Sequence, residues 1–242
     1  MRLDKWLSNS GFGSRKDVKQ LIKSGAVTIN GTAVKDGKKQ AVPGEDKVAV
    51  HGEEIVYREF IYLMMNKPDG VISATEDNFH ETVIDLIDEY FQSFKPFPVG
   101  RLDIDTEGLL LLTNDGQLSH SLLSPKKHVP KKYYAEIDGA VTGKDAEAFS
   151  CGVELDDGYV TKPAVLEILE VSGERSKINL TISEGKFHQV KRMFLSRGKE
   201  VTYLKRMKMG RVDLDPILEP GEYRELTKAE LESLLASGVS EH

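Results

Sequence analysis

The sequence has almost no cysteine and no long apolar run, and both absences exclude classes of protein. Of its 242 residues only Cys151 is a cysteine, so no disulfide can form within the chain, and a metal site built from several thiolates is excluded. The longest apolar runs, such as 60–65 and 109–112, fall far short of the roughly 20 residues that span a bilayer. The N-terminus lacks the apolar stretch and cleavage site of a secretory signal. We expect a protein of the reducing cytoplasm with no membrane partner.

The chain also lacks a net positive charge, but its cations are unevenly distributed. The formal net charge is -6, which by itself argues against a nucleic-acid partner. However, residues 1–40 hold nine Lys and Arg against three acids, residues 185–211 hold nine against one, and residues 125–132 add four lysines and no acid. A single basic run is ordinarily a solvated face. Three such runs in an otherwise acidic chain favour contact with a polyanion.

The first 58 residues have a pattern of short elements that sets them apart from the rest. Leu3, Trp6 and Leu7 recur at helical spacing before the glycines at 11 and 13, which predicts a short helix. Ser14 and Asp17 form a capping-box pattern at the start of a second helix. Alternating residues around Asn30-Gly31 predict a hairpin, and a further strand is predicted over 47–51. We therefore predict two domains, 1–58 and 59–242.

The second helix carries a basic face that resembles a known RNA-binding surface. The cations of this face lie mostly opposite the apolar residues Val18, Leu21 and Ile22; they are Arg15, Lys16, Lys19 and Lys23. The segments 2–7, 13–16 and 22–31 resemble the S4-type RNA-binding module. This resemblance implies that the helix docks on structured RNA.

From residue 59 onward the pattern is a longer mixture of strands and helices. The predicted strands are 60–65, 109–113, 133–138, 164–171, 177–183 and 201–209, and the predicted helices are 82–90, 117–123, 144–150, 188–196 and 228–236. The two types interleave irregularly, whereas a doubly wound parallel sheet needs regular crossover helices. The fold class is therefore α+β, with a mixed and largely antiparallel sheet.

The loop 99–108 is the first candidate for chemistry, because it places three carboxylates just before an apolar strand. The strand would fix the backbone of these residues, while the loop leaves their carboxylates exposed. They are Asp103, Asp105 and Glu107. Arg101 is expected to pair with one carboxylate and keep it ionised. From spacing alone, Asp103 or Asp105 could equally bind the amides of a turn.

Three further segments carry candidate side chains. His188, Lys191 and Arg192 share a face of the helix predicted after Gly185, where a cationic cluster could hold a carboxylate or phosphate. Tyr133 and Tyr134 begin a strand beside a basic run, so at most one of them faces a given pocket. Lys67 lies in a turn-like segment, 66–70, and is a candidate phosphate contact, although the composition of the segment favours a plain turn.

Together these pieces resemble one enzyme family. The segments that carry the resemblance are 66–73, 100–109, 131–133, 161–164 and 184–193, and they are similar to those of the RsuA-type pseudouridine synthases, in which an S4-like module precedes a catalytic domain. The resemblance implies that Asp103 is the nucleophile, Tyr133 the active-site aromatic residue and Lys191 the cation paired with the aspartate. Arg192 could share that pairing, and Leu204 is similar to the apolar residue beside the target base.

The resemblance also implies the substrate and the absence of a cofactor. Uridine becomes pseudouridine by cleavage of the C–N glycosidic bond, rotation of uracil and formation of a C–C bond, with no redox change, so no cofactor and no metal are expected. The implied partner is 16S rRNA, or an assembly intermediate of the small subunit, modified at a 516-type site. The implied RNA contacts are Arg15, Lys16, Lys19, Lys23, Lys67, Arg101, Arg192 and Leu204.

Three alternatives remain open at this stage. The same reaction on 23S rRNA would use the same nucleophile motif, although segments 161–164 and 188–193 are more similar to the small-subunit type. A non-catalytic ribosome-assembly factor would need only the basic runs. A glycoside hydrolase using Asp103 and Asp105 is disfavoured, because such enzymes place acid and base on either side of a sugar.

Overall fold

The computed structural model describes residues 1–237, which form two compact units. The first unit comprises Met1–Ile61 and Ile87–Pro96, and the second comprises Tyr62–Leu86 together with the chain from Phe97 onward. The predicted boundary after residue 58 puts residues 87–96 in the second domain, whereas the structure groups them with the first unit. Residues 238–242, the end of the predicted second domain, lie outside the described residues.

The first unit is a pair of helices on a small sheet. Helices α1 (Leu3–Asn9) and α2 (Arg15–Lys23) precede a sheet of strand order β2-β1-β3-β4, formed by β1 (Val27–Ile29), β2 (Thr32–Ala33), β3 (Val48–Val50) and β4 (Glu53–Glu54). The predicted capping box is present, since Ser14 and Asp17 bond reciprocally at the start of α2. Trp6, Val18 and Ile22 lie in the core of the unit. This part of the fold agrees with the sequence pattern.

Residues 87–96 join the first unit through aromatic packing. They contain the short helix α3 (Glu89–Gln92). Tyr90 lies against Gly11, where an added Cβ would come within 3.3 Å of the Tyr90 ring. Phe94 is buried and packs edge-on against Tyr90. This packing explains why the segment is part of the first unit although the chain reaches it from the second.

The second unit is built on a mixed sheet. Its strands are β5 (Tyr62–Lys67), β6 (Phe97–Pro98), β7 (Glu107–Thr113), β8 (Lys131–Asp138), β9 (Val165–Ser172), β10 (Arg175–Ile182), β11 (Glu200–Met209), β12 (Val212–Asp213) and β13 (Tyr223–Glu225). The main path is β13-β5-β7-β11-β8-β10-β9. Only β7 and β11 pair in parallel among these described strands. The predicted α+β fold with a largely antiparallel sheet is confirmed.

Four of the five helices predicted after residue 59 are present: α4 (Gly116–Leu123), α5 (Gly143–Cys151), α6 (Gln189–Leu195) and α7 (Lys228–Ser237). The prediction over 82–90 is wrong. The backbone of Thr82 forms a parallel bridge with Ile72, and the amide of Val83 donates to the Ile72 carbonyl at 3.0 Å. Backbone groups used in this way cannot wind into a helix, and only α3 forms further along. In the described part of the chain, no helix is long and apolar enough to cross a membrane.

Candidate active site

Asp103 lies in the loop between β6 and β7, and its backbone is fixed from both sides. The amide of Leu102 donates to the Ser73 hydroxyl at 3.0 Å, and the same hydroxyl donates to the Leu102 carbonyl at 3.0 Å. On the other side, the amide of Thr106 donates to the Asp103 carbonyl at 3.0 Å. These bonds hold the backbone while the Asp103 side chain stays 29% exposed. A carboxylate presented in this way can reach a substrate without moving its loop.

Lys191 and His188, at the start of α6, face this carboxylate. Lys191 Nζ lies 3.7 Å from Asp103 Oδ2, and His188 Nε2 lies 3.6 Å from Asp103 Oδ1. Lys191 is closer to Asp105, whose two carboxylate oxygens accept from Nζ at 2.6 and 2.7 Å. Burial opposes ionisation of Asp105, but the hydrogen bonds and charge of Lys191 outweigh it and lower the pKa of Asp105. The Lys191 ammonium therefore interacts with the carboxylates of both Asp103 and Asp105.

A buried carboxylate positions the segment that carries His188 and Lys191. Glu184 Oε1 accepts from the Lys162 amide and from Gln189 Nε2, each at 2.9 Å, and Glu184 Oε2 accepts from the Tyr159 hydroxyl at 2.7 Å. Gln189 Oε1 in turn accepts from the Lys186 amide at 2.9 Å. Glu184 and Gln189 are both buried. The hydrogen bonds thus tie the loop after β10 to the loop before β9 and fix the first turn of α6.

Tyr133 on β8 and Leu204 on β11 complete the site. Both side chains are at least nine-tenths buried, and they line a cavity of about 90 Å³ together with Asp103 and Lys191. The Tyr133 hydroxyl has no hydrogen-bond partner among residues 1–237, so it is available to a bound molecule. Tyr134 points to the other face of the sheet, where its hydroxyl donates to Glu136 at 3.0 Å. As the alternation of the strand predicts, one tyrosine enters the cavity and the other does not.

The structure brings Asp103, Tyr133, Lys191 and Leu204 together but contradicts a contact predicted for each of three cations, Arg101, Arg192 and Lys67. Arg101 is exposed and lines the cavity, yet it forms no ion pair within the described chain, so its predicted pairing with a carboxylate is wrong. Arg192 pairs with Asp156 and, at 2.8 Å, with Asp157. Its guanidinium is therefore engaged away from Asp103 and cannot share the pairing predicted for Lys191.

The prediction that Lys67 contacts a phosphate is also wrong, because the residue is fully buried. Its ammonium donates to the carbonyls of Pro68, Ile104 and Thr106 at 2.9, 3.1 and 3.0 Å. Burial lowers the pKa of Lys67 to about 8, against the opposing attraction of nearby carboxylates, Asp69 first. Lys67 therefore stabilises the Asp103 loop through hydrogen bonds to its carbonyl groups.

The four basic residues of α2 are exposed, as an RNA contact requires; they are Arg15, Lys16, Lys19 and Lys23. Their role in binding stays a prediction. By contrast, part of the basic run 125–132 is not at the surface. Lys131 is buried, and both that burial and the neighbouring charge of Arg206 lower its pKa, to about 8.

The sequence analysis missed Thr106, and it named Asp105 and His188 only as candidates without assigning them a role in the site. Thr106 is buried at the edge of the cavity, and its hydroxyl has no partner. The sequence does not reveal that Lys191 lies close to Asp103 and Asp105 in the folded chain, since 86 positions separate Lys191 from Asp105. The basic run after Gly185 was the one available signal.

The arrangement suits covalent or proton-transfer chemistry by a carboxylate. A lysine ammonium and an imidazole lie within 4 Å of it, and an aromatic ring and an apolar side chain line the recess in front of it. In the part of the chain that the structure describes, no three His, Cys, Asp or Glu side chains are grouped so as to hold a metal ion.

Comparison with known proteins identifies the family. The model of the RNA pseudouridylate synthase family matches residues 61–196, and the model of the S4 domain matches residues 1–47. An uncharacterised RNA pseudouridine synthase of Bacillus subtilis is 57% identical over 97% of this chain and 98% of its own length. The ribosomal small subunit pseudouridine synthase A of Vibrio cholerae is 43% identical over 97% of this chain and 99% of its own length.

A solved structure agrees with these sequence matches. The crystal structure of a pseudouridylate synthase superposes with a TM-score of 0.68 at 42% identity, covering 97% of this chain and 99% of that one. The shared sequence extends over both units, so the S4 domain and the catalytic domain occur together in these relatives. The chain therefore belongs to the RNA pseudouridylate synthase family, as an enzyme with an N-terminal S4 domain that isomerises uridine to pseudouridine in RNA.

Proposed function

We propose that this enzyme modifies a uridine of 16S rRNA, in the small subunit or an intermediate of its assembly, and that Asp103 is the nucleophile. The small-subunit assignment is supported by the relative of Vibrio cholerae, whose name specifies the ribosomal small subunit. The 516-type site is the position that the resemblance of the sequence implies. The role of Asp103 is supported by one observation above all. Its carboxylate lies in the cavity that Tyr133 and Leu204 line, with Lys191 and His188 within 4 Å.

The chemistry follows from the groups that face this cavity. A uridine held in structured RNA must leave its stack before a carboxylate can reach it, and the Tyr133 ring and the Leu204 side chain offer surfaces for the extruded base. Asp103 then adds to the uracil or to the ribose anomeric carbon, or drives formation of a glycal, as the C–N bond breaks. After the uracil turns, C5 bonds to the anomeric carbon of the ribose, and the bond to Asp103 breaks to release the carboxylate; in the glycal route the proton taken from the ribose returns to it. C5 then loses its proton, while N1 gains one. The free Tyr133 hydroxyl is placed to assist the removal of the C5 proton.

Lys191 has two duties in this proposal. It lies 3.7 Å from Asp103, so its positive charge faces the nucleophile. Its shorter bonds to Asp105 hold the ammonium in place while the substrate enters. Asp105 is thus a positioning residue, which acts on the nucleophile through Lys191.

The first experiment compares pseudouridine maps of rRNA from cells with and without the gene. We expect one position of 16S rRNA to lose its modification. A loss in 23S rRNA instead would move the substrate to the large subunit. No change in either rRNA would favour RNA binding as the function.

The second experiment compares two carboxylate-to-amide substitutions in the same loop. Asp103→Asn keeps shape and removes charge, so we expect a folded protein that binds RNA and forms no pseudouridine. Asp105→Asn is the matched control, because it changes the same chemistry two residues away. We expect it to retain measurable turnover. Appreciable turnover by Asp103→Asn would exclude Asp103 as the nucleophile.

A further inference from the structure

We propose that a second cavity beside Asp103 binds the nucleotide adjacent to the target uridine, with its base stacked on Phe187. This cavity has a volume of about 540 Å³. Three segments line it: 72–74, 100–103 and 185–188. That volume lies within the usual range for ligand sites. The cavity shares Arg101, Asp103 and His188 with the smaller cavity that Tyr133 and Leu204 line. When the target uridine of an RNA strand enters the small cavity, the adjacent nucleotide therefore lies beside the large cavity.

Phe187 supplies the stacking surface. It is 74% exposed, an unusual position for a large apolar side chain. Its ring stacks on the His188 ring with a centroid distance of 3.7 Å and an interplanar angle of 19°. Because one face of the Phe187 ring is covered by His188, the exposed area belongs to the rest of the ring. A base that stacks there would extend a two-ring stack already present.

The backbone holds this pair of rings in a sparsely populated conformation. His188 has a φ of 48°, in the left-handed region that residues other than glycine seldom adopt. Strained residues of this kind persist where the surrounding structure fixes them, and they concentrate at functional sites. Here the bonds of Gln189 to Glu184 and to the Lys186 amide fix the residues on either side. The far end of the stack, His188 Nε2, lies 3.6 Å from the nucleophile.

The charges around the cavity select a nucleotide as its occupant. Arg101 and Lys186 are exposed cations on its lining. Asp103 is the one carboxylate among the lining residues, and Lys191 and His188 already face it. The Lys186 ammonium lies 4.4 Å from the centroid of the Tyr159 ring. An exposed aromatic ring in a cavity lined by cations is the combination that binds a base and its phosphates in single-stranded nucleic acid. The inference rests on the proposed function in one respect, that an RNA strand enters at Asp103.

The test uses the full chain and an RNA hairpin around the uridine that the rRNA maps identify. We expect Phe187→Ala to raise KM about tenfold, the size of effect seen when a stacking residue is truncated, with kcat changed less than about threefold. Phe187→Trp keeps an aromatic face and should retain the wild-type KM. The matched control is Ile217→Ala, which truncates another exposed apolar residue, 81% exposed and outside both cavities.

A cycle with altered RNA identifies the contact directly. Each nucleotide next to the target uridine is replaced in turn by an abasic one, and binding is measured in the Asp103→Asn background, where no turnover occurs. We expect one abasic position to weaken binding about tenfold with Phe187 and to have no further effect with Phe187→Ala. Equal penalties with and without Phe187 at both positions, or an unchanged KM for Phe187→Ala, would overturn the inference. Because the hairpin follows the map, a uridine in 23S rRNA would overturn the substrate assignment alone.

Discussion

At the scale of single residues, Lys191 contacts two carboxylates, whereas the sequence predicted a contact with one. The sequence predicted a partner for Asp103, and the structure places its Nζ 3.7 Å from Asp103 but 2.6 Å from Asp105. Both acids are partly exposed, so the pairs contribute little to stability and their effect lies in the electrostatics of the site.

Removing this ammonium should therefore affect rate more than folding. We expect Lys191→Met to lower kcat/KM by about 10²-fold, comparable to the loss of one electrostatic donor at a reacting centre. Lys191→Arg should retain much of the rate, because it keeps the charge. Steady-state kinetics on rRNA transcripts measure both. A normal rate for Lys191→Met would contradict the pairing, and equal losses for both variants would mean that the site requires the compact ammonium of lysine.

Lys67 provides a prediction about pH. Burial lowers its pKa to about 8 in the folded chain, from an ordinary value of 10.5. Between those two values the unfolded state binds more protons, so this group makes the free energy of unfolding rise with pH over that window. The difference between wild type and Lys67→Met in urea unfolding should grow in favour of wild type from pH 8 to pH 10. A difference that is constant over this range would contradict the lowered pKa.

At the scale of elements, the parallel pair of β7 and β11 depends on one glycine. Gly108 has a φ of +100°, and an added Cβ would lie 2.3 Å from the carbonyl oxygen of Arg206. The backbones can approach only because no side chain lies between them. This pair joins the strand that follows the Asp103 loop to the strand that carries Leu204.

Gly108→Ala should consequently destabilise the catalytic unit. The backbone conformation alone costs about 1–3 kcal/mol for a residue other than glycine, and the clash adds to it. Gly116→Ala is the control, since Gly116 begins a helix and an added Cβ meets nothing within 4 Å. We expect that variant to be neutral or stabilised by up to about 1 kcal/mol. Denaturant unfolding distinguishes them, and equal stability would contradict the requirement at 108.

The sequence predicted elements well where local pattern and tertiary contacts agree. The capping box of α2 and the alternation of β8 are local signals, and the structure confirms both. The segment 82–90 has an equally good helical pattern, but hydrogen bonds to Ile72 at its start override it. Pairings between distant segments leave no trace in a local pattern. The same reason explains why the prediction for Lys67 was wrong, because two of its three carbonyl acceptors, Ile104 and Thr106, become neighbours only after β5 and β7 pair.

At the scale of the whole molecule, the uneven distribution of charge is the feature most directly linked to RNA. The overall charge of -6 would repel a polyanion, so binding depends on where the cations lie. Of the predicted RNA contacts, Lys67 is buried and Arg192 is paired with two aspartates, whereas Arg101 and the four cations of α2 are exposed. Predicted RNA contacts are thus exposed in both units, four in the first and Arg101 in the second.

The contribution of the S4 domain is best measured by substitution within the full chain. Deleting residues 1–58 would also remove the packing partner of residues 87–96, which belong to the same compact unit. Changing all four α2 cations to Gln leaves the core of the unit intact; they are Arg15, Lys16, Lys19 and Lys23. If each contacts a phosphate, the slope of log affinity against log salt should become shallower by up to about 3.

The control for this variant replaces exposed cations that lie elsewhere, Lys144→Gln with Lys228→Gln. These changes lower the net charge by two but remove no predicted phosphate contact, so the salt slope should stay close to that of wild type. Because kcat reports on groups at the Asp103 cavity, the α2 variant should weaken affinity and leave turnover at saturating RNA unchanged. An unchanged salt slope in the α2 variant would contradict phosphate binding by this helix. A loss of kcat would instead show that the S4 domain helps to position the uridine at Asp103.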